Sequence, residues 1–196
     1  NIKKKYPNSF LIMIGSGILK EKVQNIPEIA IILGSGLGSL SDDVTNKQVI
    51  PYKDIPNFPV STVAGHKGEL IFGEIENVPV ILMNGRFHYY EGYDLKETTY
   101  PIRIFKLLGV KTLIITNAAG GINTSFQKGD LMIINDQLSF FAESVLRGPN
   151  LDEFGDRFID MSNTYDKEYV EKLKVIMQNV TNKCNVGVYA YMKGPT

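Results

Sequence analysis

The fold is decided by the stretch Ile29-Ala30-Ile31-Ile32-Leu33-Gly34-Ser35-Gly36-Leu37-Gly38, where a continuous apolar run passes directly into a glycine-rich turn. A short apolar run bounded by a turn is typical of a strand buried on both faces of a sheet. Glycines let several backbone N–H groups approach one anion closely, and Ser35 adds a hydroxyl donor. The stretch predicts a buried strand ending at an anion-binding turn, with a plain tight turn as the alternative.

The same turn argues against nucleotide cofactors. The dinucleotide fingerprint requires a further glycine at the position that Ser39 occupies, and the phosphate-cradling lysine motif is absent. A dinucleotide-dependent oxidoreductase is therefore the weakest of the functional hypotheses.

Other apolar runs along the chain predict the fold class. Strands are predicted over residues 29–33, 70–75, 78–83, 112–115, 131–134 and 186–191, and helices over residues 98–108 and 165–180. The first helix is expected to end at a glycine cap, Gly109. Strands that alternate with helices indicate the α/β class, with a mixed, largely parallel central sheet flanked by helices. The 196 residues predict a single domain.

Composition limits the partners. Lys plus Arg and Asp plus Glu both number 21, so no net charge attracts nucleic acid or an anionic membrane. The single cysteine, Cys184, favours a reducing compartment such as the cytoplasm, and it lacks the neighbours of a zinc site, so no metal is expected. The apolar run at residues 10–14 is too short to span a membrane and is interpreted as a surface or interface element.

A second motif, Arg86-Phe87-His88-Tyr89-Tyr90, follows the strand predicted over residues 78–83. Alternate residues of extended backbone share a side, so Arg86, His88 and Tyr90 are expected to face together. A guanidinium binds phosphate through paired N–H groups, and an imidazole can donate to the same anion or manage its proton. The alternative pairs Arg86 with Glu91 and packs the histidine in the core, but the shared side favours a phosphate site.

Two further motifs could contribute to the same site. Thr116-Asn117-Ala118-Ala119-Gly120-Gly121 follows a predicted strand, and ligands of open α/β sheets bind where strands end. Its small side chains suit an anion or a flat ring, or form a plain turn. Gly65-His66-Lys67-Gly68 lies in a proline-rich connection that begins at Pro51. A lone histidine in a loop is often incidental, so His66 is a weaker candidate than His88.

Taken in order, these motifs are similar to the trimeric type of purine nucleoside phosphorylase, over nearly the whole chain after Ile29. The segments that carry the resemblance are Gly34-Ser35-Gly36-Leu37-Gly38, Pro56-Asn57-Phe58-Pro59, Gly65-His66, Gly85-Arg86-Phe87-His88, Tyr90-Glu91-Gly92-Tyr93, Asn117-Ala118-Ala119-Gly120-Gly121-Ile122-Asn123, Gly148-Pro149-Asn150 and Phe154-Gly155-Asp156-Arg157-Phe158.

The resemblance implies roles for particular residues. The phosphate-binding residues it implies are Ser35, His66, Arg86, His88 and the backbone of Ala118. Tyr90 and Ala118 would contact the nucleoside, and Phe158 would reach across a subunit interface into the neighbouring site of a homotrimer. His88 would be the catalytic residue, with Glu91 orienting it.

The reaction implied is reversible phosphorolysis of purine ribo- and deoxyribonucleosides to the free base and (deoxy)ribose 1-phosphate, in purine salvage. Inorganic phosphate is a co-substrate, and no cofactor or metal is implied. The family continues past the position of Thr196 by roughly a third of its length, so this chain is expected to be incomplete for catalysis. The alternatives are an inactive or assembly-only product of the same family and a methylthioadenosine phosphorylase.

Overall fold

The computed structural model describes residues 7–60, 67–140, 143–181 and 183–192, with the backbone alone for residues 7–10. The chain forms two compact units, Asn1–Ala118 and Ala119–Thr196. The first unit contains α1 (Pro7–Lys22), β1 (Ile29–Ile32), β2 (Thr45–Pro51), β3 (Glu69–Ile75), β4 (Val78–Asn84), α2 (Leu95–Thr98), α3 (Tyr100–Leu108) and β5 (Thr112–Ile115). The second contains β6 (Met132–Leu138), α4 (Lys167–Thr181) and β7 (Asn185–Ala190). The single domain expected over residues 1–196 stays a prediction.

The sheet of the first unit has the strand order β2-β3-β4-β1-β5. Strand β1 runs parallel to β4 and β5, whereas β3 is antiparallel to both β2 and β4. The mixed α/β fold is confirmed, but "largely parallel" is wrong for this sheet, where two of the four pairings are antiparallel. For the β3–β4 pairing the reason is the two-residue turn between these strands, in which Glu76 and Asn77 have φ of 50° and 63°. Positive φ at both central residues is the geometry that joins antiparallel neighbours.

The parallel register brings three strand ends to one edge of the sheet. Ile32 of β1 lies opposite Met83 of β4 and opposite Ile115 of β5. The chain segments that follow these three strands therefore leave the sheet side by side. Those segments are three of the four motifs considered in the sequence as parts of an anion site.

The faces of this sheet are covered unevenly. Residues 80–84 of β4 are buried, and Leu33, Ile71 and Leu82 belong to one hydrophobic cluster. The end strand β5 differs, because Ile114 is 45% exposed and Ile115 is 55% exposed. The expectation of a sheet buried on both faces thus holds for the centre and is wrong for this end strand.

The amino-terminal apolar segment belongs to helix α1, which packs on α3. Ile12, Leu19 and Val23 are buried, and the hydroxyl of Tyr100 donates to the carbonyl of Leu11 at 2.9 Å. A Cβ on Gly15 would lie 2.7 Å from the Tyr100 hydroxyl oxygen, so glycine permits the close crossing. The expected surface or interface element is instead a helix with a buried face.

Helix α3 ends as predicted and begins slightly later. Gly109 adopts a left-handed φ of 94° and donates its N–H to the last turn, which is the expected glycine cap. Proline in the first turn fits the helix start after Thr99, while residues 95–98 form the separate short helix α2.

The second unit pairs β6 with β7 in parallel, and α4 lies between them in sequence. This is the predicted strand–helix–strand order, with β6 extending to Leu138. Among the described residues, no helix combines the length and the apolar character that a membrane span needs.

Tyr52 links the connection after β2 to the end of β4. Its fully buried hydroxyl donates a 2.5 Å hydrogen bond to the Gly85 carbonyl. Burial, with a contribution from Glu69, raises the pKa of this phenol, and burial raises the pKa of Tyr100 to about 12. In the unfolded chain a tyrosine has a pKa of about 10, which is lower than in the folded protein. The contribution of the phenol to stability is therefore complete below about pH 10, and it is lost as pH rises from there toward the folded pKa.

We expect Tyr52→Phe to lower the free energy of unfolding near neutral pH by about 1–2 kcal/mol, because the buried Gly85 carbonyl loses its donor. Above about pH 10 the variant should lose stability less steeply than the wild type, since it lacks one phenol with a raised pKa. Urea unfolding at neutral and alkaline pH measures both effects. Tyr89→Phe, at an exposed ring, is the control and should change neither. Equal alkaline slopes for Tyr52→Phe and wild type would contradict the assignment.

Candidate functional site

The glycine-rich turn closes directly after β1. Leu37 N–H donates to the Gly34 carbonyl at 3.1 Å, and Gly36 has a φ of 86°, a conformation that favours glycine. Ser35 lies exposed at the tip of the turn. The turn therefore presents a hydroxyl and backbone groups at the edge where β1, β4 and β5 end.

Gly34 touches the backbone that follows β5. Its N–H donates to Thr116 Oγ1 at 2.8 Å. A Cβ on Gly34 would lie 2.7 Å from both Asn117 Cα and the Thr116 carbonyl oxygen. A side chain cannot be accommodated there unless the two backbones separate.

Gly34→Ala should therefore lower the free energy of unfolding by about 2 kcal/mol or more, the cost typical of overpacking against atoms that cannot turn aside. Gly120→Ala is the matched control, because a Cβ there meets nothing within 4 Å. Denaturant unfolding of both variants measures the difference, and equal stabilities would contradict the contact described for Gly34.

The side chain of Arg86 links the segment after β4 to the segment after β5. Its Nη1 donates to the Thr116 carbonyl at 2.9 Å, and its Nε donates to His88 Nε2 at 3.2 Å. The guanidinium is thus held in a fixed plane by two partners on different segments. A pre-oriented guanidinium of this kind is suited to paired hydrogen bonds with an oxyanion.

His88 is held by Glu91. The Glu91 Oε1 atom lies 2.7 Å from His88 Nδ1 and accepts the His88 backbone N–H at 2.8 Å. The Glu91 side chain is 2% exposed and the His88 side chain is 18% exposed. Since Nε2 accepts from Arg86, the hydrogen-bond pattern assigns the proton of neutral His88 to Nδ1, facing the carboxylate.

The predicted shared side of Arg86, His88 and Tyr90 is confirmed. The rings of His88 and Tyr90 stack with centroids 4.7 Å apart and an interplanar angle of 15°. Phe87 faces the other way and is buried among the rings of Tyr52, Phe58 and Tyr93. The backbone is extended only as far as His88, because a 3-10 turn over Tyr89–Glu91 follows.

The other residues predicted for the site are Ala118, Phe158 and His66. Ala118 is exposed two residues beyond Thr116 in the first unit. Phe158 belongs to the second unit and is 90% exposed. It follows Arg157, whose Nη1 donates to the carbonyls of Leu146 and Gly148. His66 lies outside the described residues, so its role stays a prediction.

Sequence reasoning missed the contributions of two residues. Thr116 appeared only as the start of a small-residue motif, and Tyr52 only within the proline-rich connection. A hydroxyl immediately after a strand end was the available signal for Thr116. Tyr52 gave none. In the described part of the chain, no group of three or more His, Cys, Asp or Glu residues is placed to hold a metal ion.

Comparison with known proteins identifies the class to which this fold and site belong. The family model described as the phosphorylase superfamily matches residues 28–196, and the chain belongs to this family. Within it, the chain is similar to enzymes named purine nucleoside phosphorylase. It is 48% identical to purine nucleoside phosphorylase 1 of Bacillus subtilis over 92% of this chain and 67% of that protein. It is 50% identical to the Geobacillus stearothermophilus protein of the same name, over 90% and 65%.

The chain is also similar to solved structures of purine nucleoside phosphorylases. A purine nucleoside phosphorylase from Schistosoma mansoni in complex with acetate superposes with a TM-score of 0.87 at 43% identity, over 95% of this chain and 70% of that one. Isoform 2 from the same organism, in complex with cytosine and ribose-1-phosphate, gives a TM-score of 0.88 at 43% identity, over 97% and 68%. The chain thus spans about two thirds of the length of these relatives.

Proposed function

We propose that the protein catalyses reversible phosphorolysis of purine ribo- and deoxyribonucleosides. The products are the free purine base and (deoxy)ribose 1-phosphate, and the reaction serves purine salvage. The observation that carries the proposal is the hydrogen-bonded row Glu91–His88–Arg86–Thr116 beside the Gly34–Ser35 turn. Membership of the phosphorylase superfamily supports it.

The row provides what phosphate binding requires. Arg86 supplies a fixed positive charge, Ser35 an exposed hydroxyl, and Ala118 backbone after a strand end, all at one edge of the sheet. We propose that phosphate is bound there by Ser35, His66, Arg86, His88 and the Ala118 backbone. Fixing an anion before reaction contributes both orientation and electrostatic stabilisation.

In the proposed reaction an oxygen of hydrogen phosphate forms a bond to the anomeric carbon as the glycosidic C–N bond breaks. The electron pair of that bond leaves with the purine, and the proton from hydrogen phosphate balances the one that the base gains. The sugar is cation-like in the transition state, so a phosphate dianion next to it is favourable. His88 Nε2, with Nδ1–H directed at Glu91, can accept the phosphate proton once Arg86 Nε exchanges its hydrogen bond to Nε2 for one to the bound phosphate.

The sugar and the base are assigned to further residues. Tyr90, stacked on His88, is proposed to lie beside the ribose, with Ala118 near the nucleoside. Phe158 is proposed to reach the neighbouring site of a homotrimer, which its 90% exposure allows. Inorganic phosphate is the co-substrate and no cofactor takes part. The proposed location is the cytoplasm.

The test incubates the full-length protein encoded by the gene with inosine, with and without phosphate, and follows hypoxanthine release. Phosphate-dependent release is expected. Release at the same rate without phosphate, or none in either case, would reject the proposal. Methylthioadenosine in a parallel assay distinguishes the sibling activity, and trimer assembly without any turnover would favour the assembly-only product.

A further inference from the structure

We infer that Thr116 is a positioning residue for the phosphate site, which fixes the glycine turn and Arg86 relative to each other. Its consequence for turnover rests on the proposed function. Its consequence for phosphate binding rests only on the proposed phosphate site and not on the cleavage of a nucleoside.

The side chain of Thr116 holds the glycine turn. Oγ1 accepts the N–H of Gly34 at 2.8 Å and donates to the carbonyl of Ile32 at 2.9 Å. A hydroxyl has one hydrogen to donate, and here that hydrogen bonds to the Ile32 carbonyl of β1. A lone pair on the same oxygen accepts the N–H of Gly34. The position of Ser35, the next residue, follows from the position of Gly34.

The main chain of Thr116 holds Arg86. Its carbonyl accepts Arg86 Nη1 at 2.9 Å, which together with the Nε–His88 bond sets the plane of the guanidinium. One residue therefore bonds through its side chain to the segment after β1 and through its carbonyl to the segment after β4. Displacement of Thr116 changes the separation between Ser35 and Arg86, the two donors proposed for one anion.

The close contact between Gly34 and Thr116 leaves little room for a substitution at Thr116. A Cβ on Gly34 would lie 2.7 Å from the Thr116 carbonyl oxygen, so the two backbones already touch. Valine has the shape of threonine, but it places a methyl group where Gly34 N–H needs an acceptor. A buried donor without an acceptor is costly, so the turn should shift away.

Thr116→Val in the full-length protein is expected to raise the KM for phosphate about tenfold, the effect of one buried donor left unsatisfied. The KM for inosine should change by less than about twofold, and Thr116→Ser, which keeps the hydroxyl, should stay near wild type in both constants. A purely structural role would instead lower kcat through loss of folded enzyme and leave the phosphate KM unchanged. That result, or equal increases in both KM values, would overturn the inference.

Two controls keep the test decisive. Thr98→Val loses a hydroxyl donor to a carbonyl, Leu95 O at 3.0 Å, as Thr116→Val does toward Ile32, but leaves no N–H without its acceptor and should leave the phosphate KM unchanged. Thr116→Ala replaces Thr116→Val if the latter does not fold, with the same split required. Calorimetric titration with inorganic phosphate separates the two proposals. Weaker phosphate binding by Thr116→Val in a protein that cleaves no nucleoside would reject the proposed function alone, whereas unchanged binding would reject the role of Thr116.

Discussion

Replacement of Arg86 by alanine is expected to lower kcat/KM for phosphate by a factor of about 100 to 1,000, the range seen when a fixed donor to an oxyanion is removed. The variant loses the guanidinium, which stays positively charged at every working pH, together with its hydrogen bonds to Thr116 and His88. The KM for inosine should change much less. Initial rates over a matrix of phosphate and inosine concentrations measure both constants.

Arg86→Lys is the matched control for this prediction. It keeps the charge but loses the planar pair of donors, so its kcat/KM for phosphate should fall between alanine and wild type. Lys106→Ala, on the surface of α3, removes a positive charge elsewhere and should have no effect. Equal effects of Arg86→Ala and Lys106→Ala would show that Arg86 does not bind phosphate.

His88→Ala is expected to lower kcat by a factor of about 100 or more, because a positioned acid–base group typically contributes that much. It removes the imidazole that joins Glu91 to Arg86 and forms the surface on which Tyr90 stacks. Steady-state rates at saturating phosphate and inosine measure the loss, and denaturant unfolding of the same sample shows whether the fold persists.

Glu91→Gln provides the comparison for His88→Ala. An amide oxygen can still accept both His88 N–H groups, so orientation is kept while the negative charge behind the imidazole is lost. We expect a smaller fall in kcat than for His88→Ala. A His88→Ala enzyme with kcat within about twofold of wild type would remove His88 from the mechanism.

The anion site could be predicted because its parts follow apolar strands. Strands β1, β4 and β5 are continuous hydrophobic runs, and polar or glycine-rich motifs follow each of them. The alternation of side chains correctly put Arg86 and His88 on one side. The links between motifs could not be predicted, since Gly34 and Thr116 are 82 residues apart and Tyr52 and Gly85 are 33 apart. Such contacts depend on strand order, which local patterns do not contain.

The missed elements have local causes. Strand β2 is exposed over its first five residues and lacks an apolar run, so nothing in its sequence indicated a strand. Helix α1 contains Gly15 and Gly17, which have low helix propensity, and the tertiary contact of Gly15 with Tyr100 outweighs that preference. The antiparallel β3–β4 pairing follows from the two-residue Glu76-Asn77 turn. The antiparallel β2–β3 pairing has no such local signal, because residues 52–68 separate the two strands.

The most direct test of the central claim is phosphorus NMR of the full-length protein with inosine and inorganic phosphate. We predict a sugar 1-phosphate signal that grows in step with the loss of inorganic phosphate and with the release of hypoxanthine, one for one. Hypoxanthine released with free ribose, while the phosphate signal stays constant, would identify hydrolysis and contradict the account.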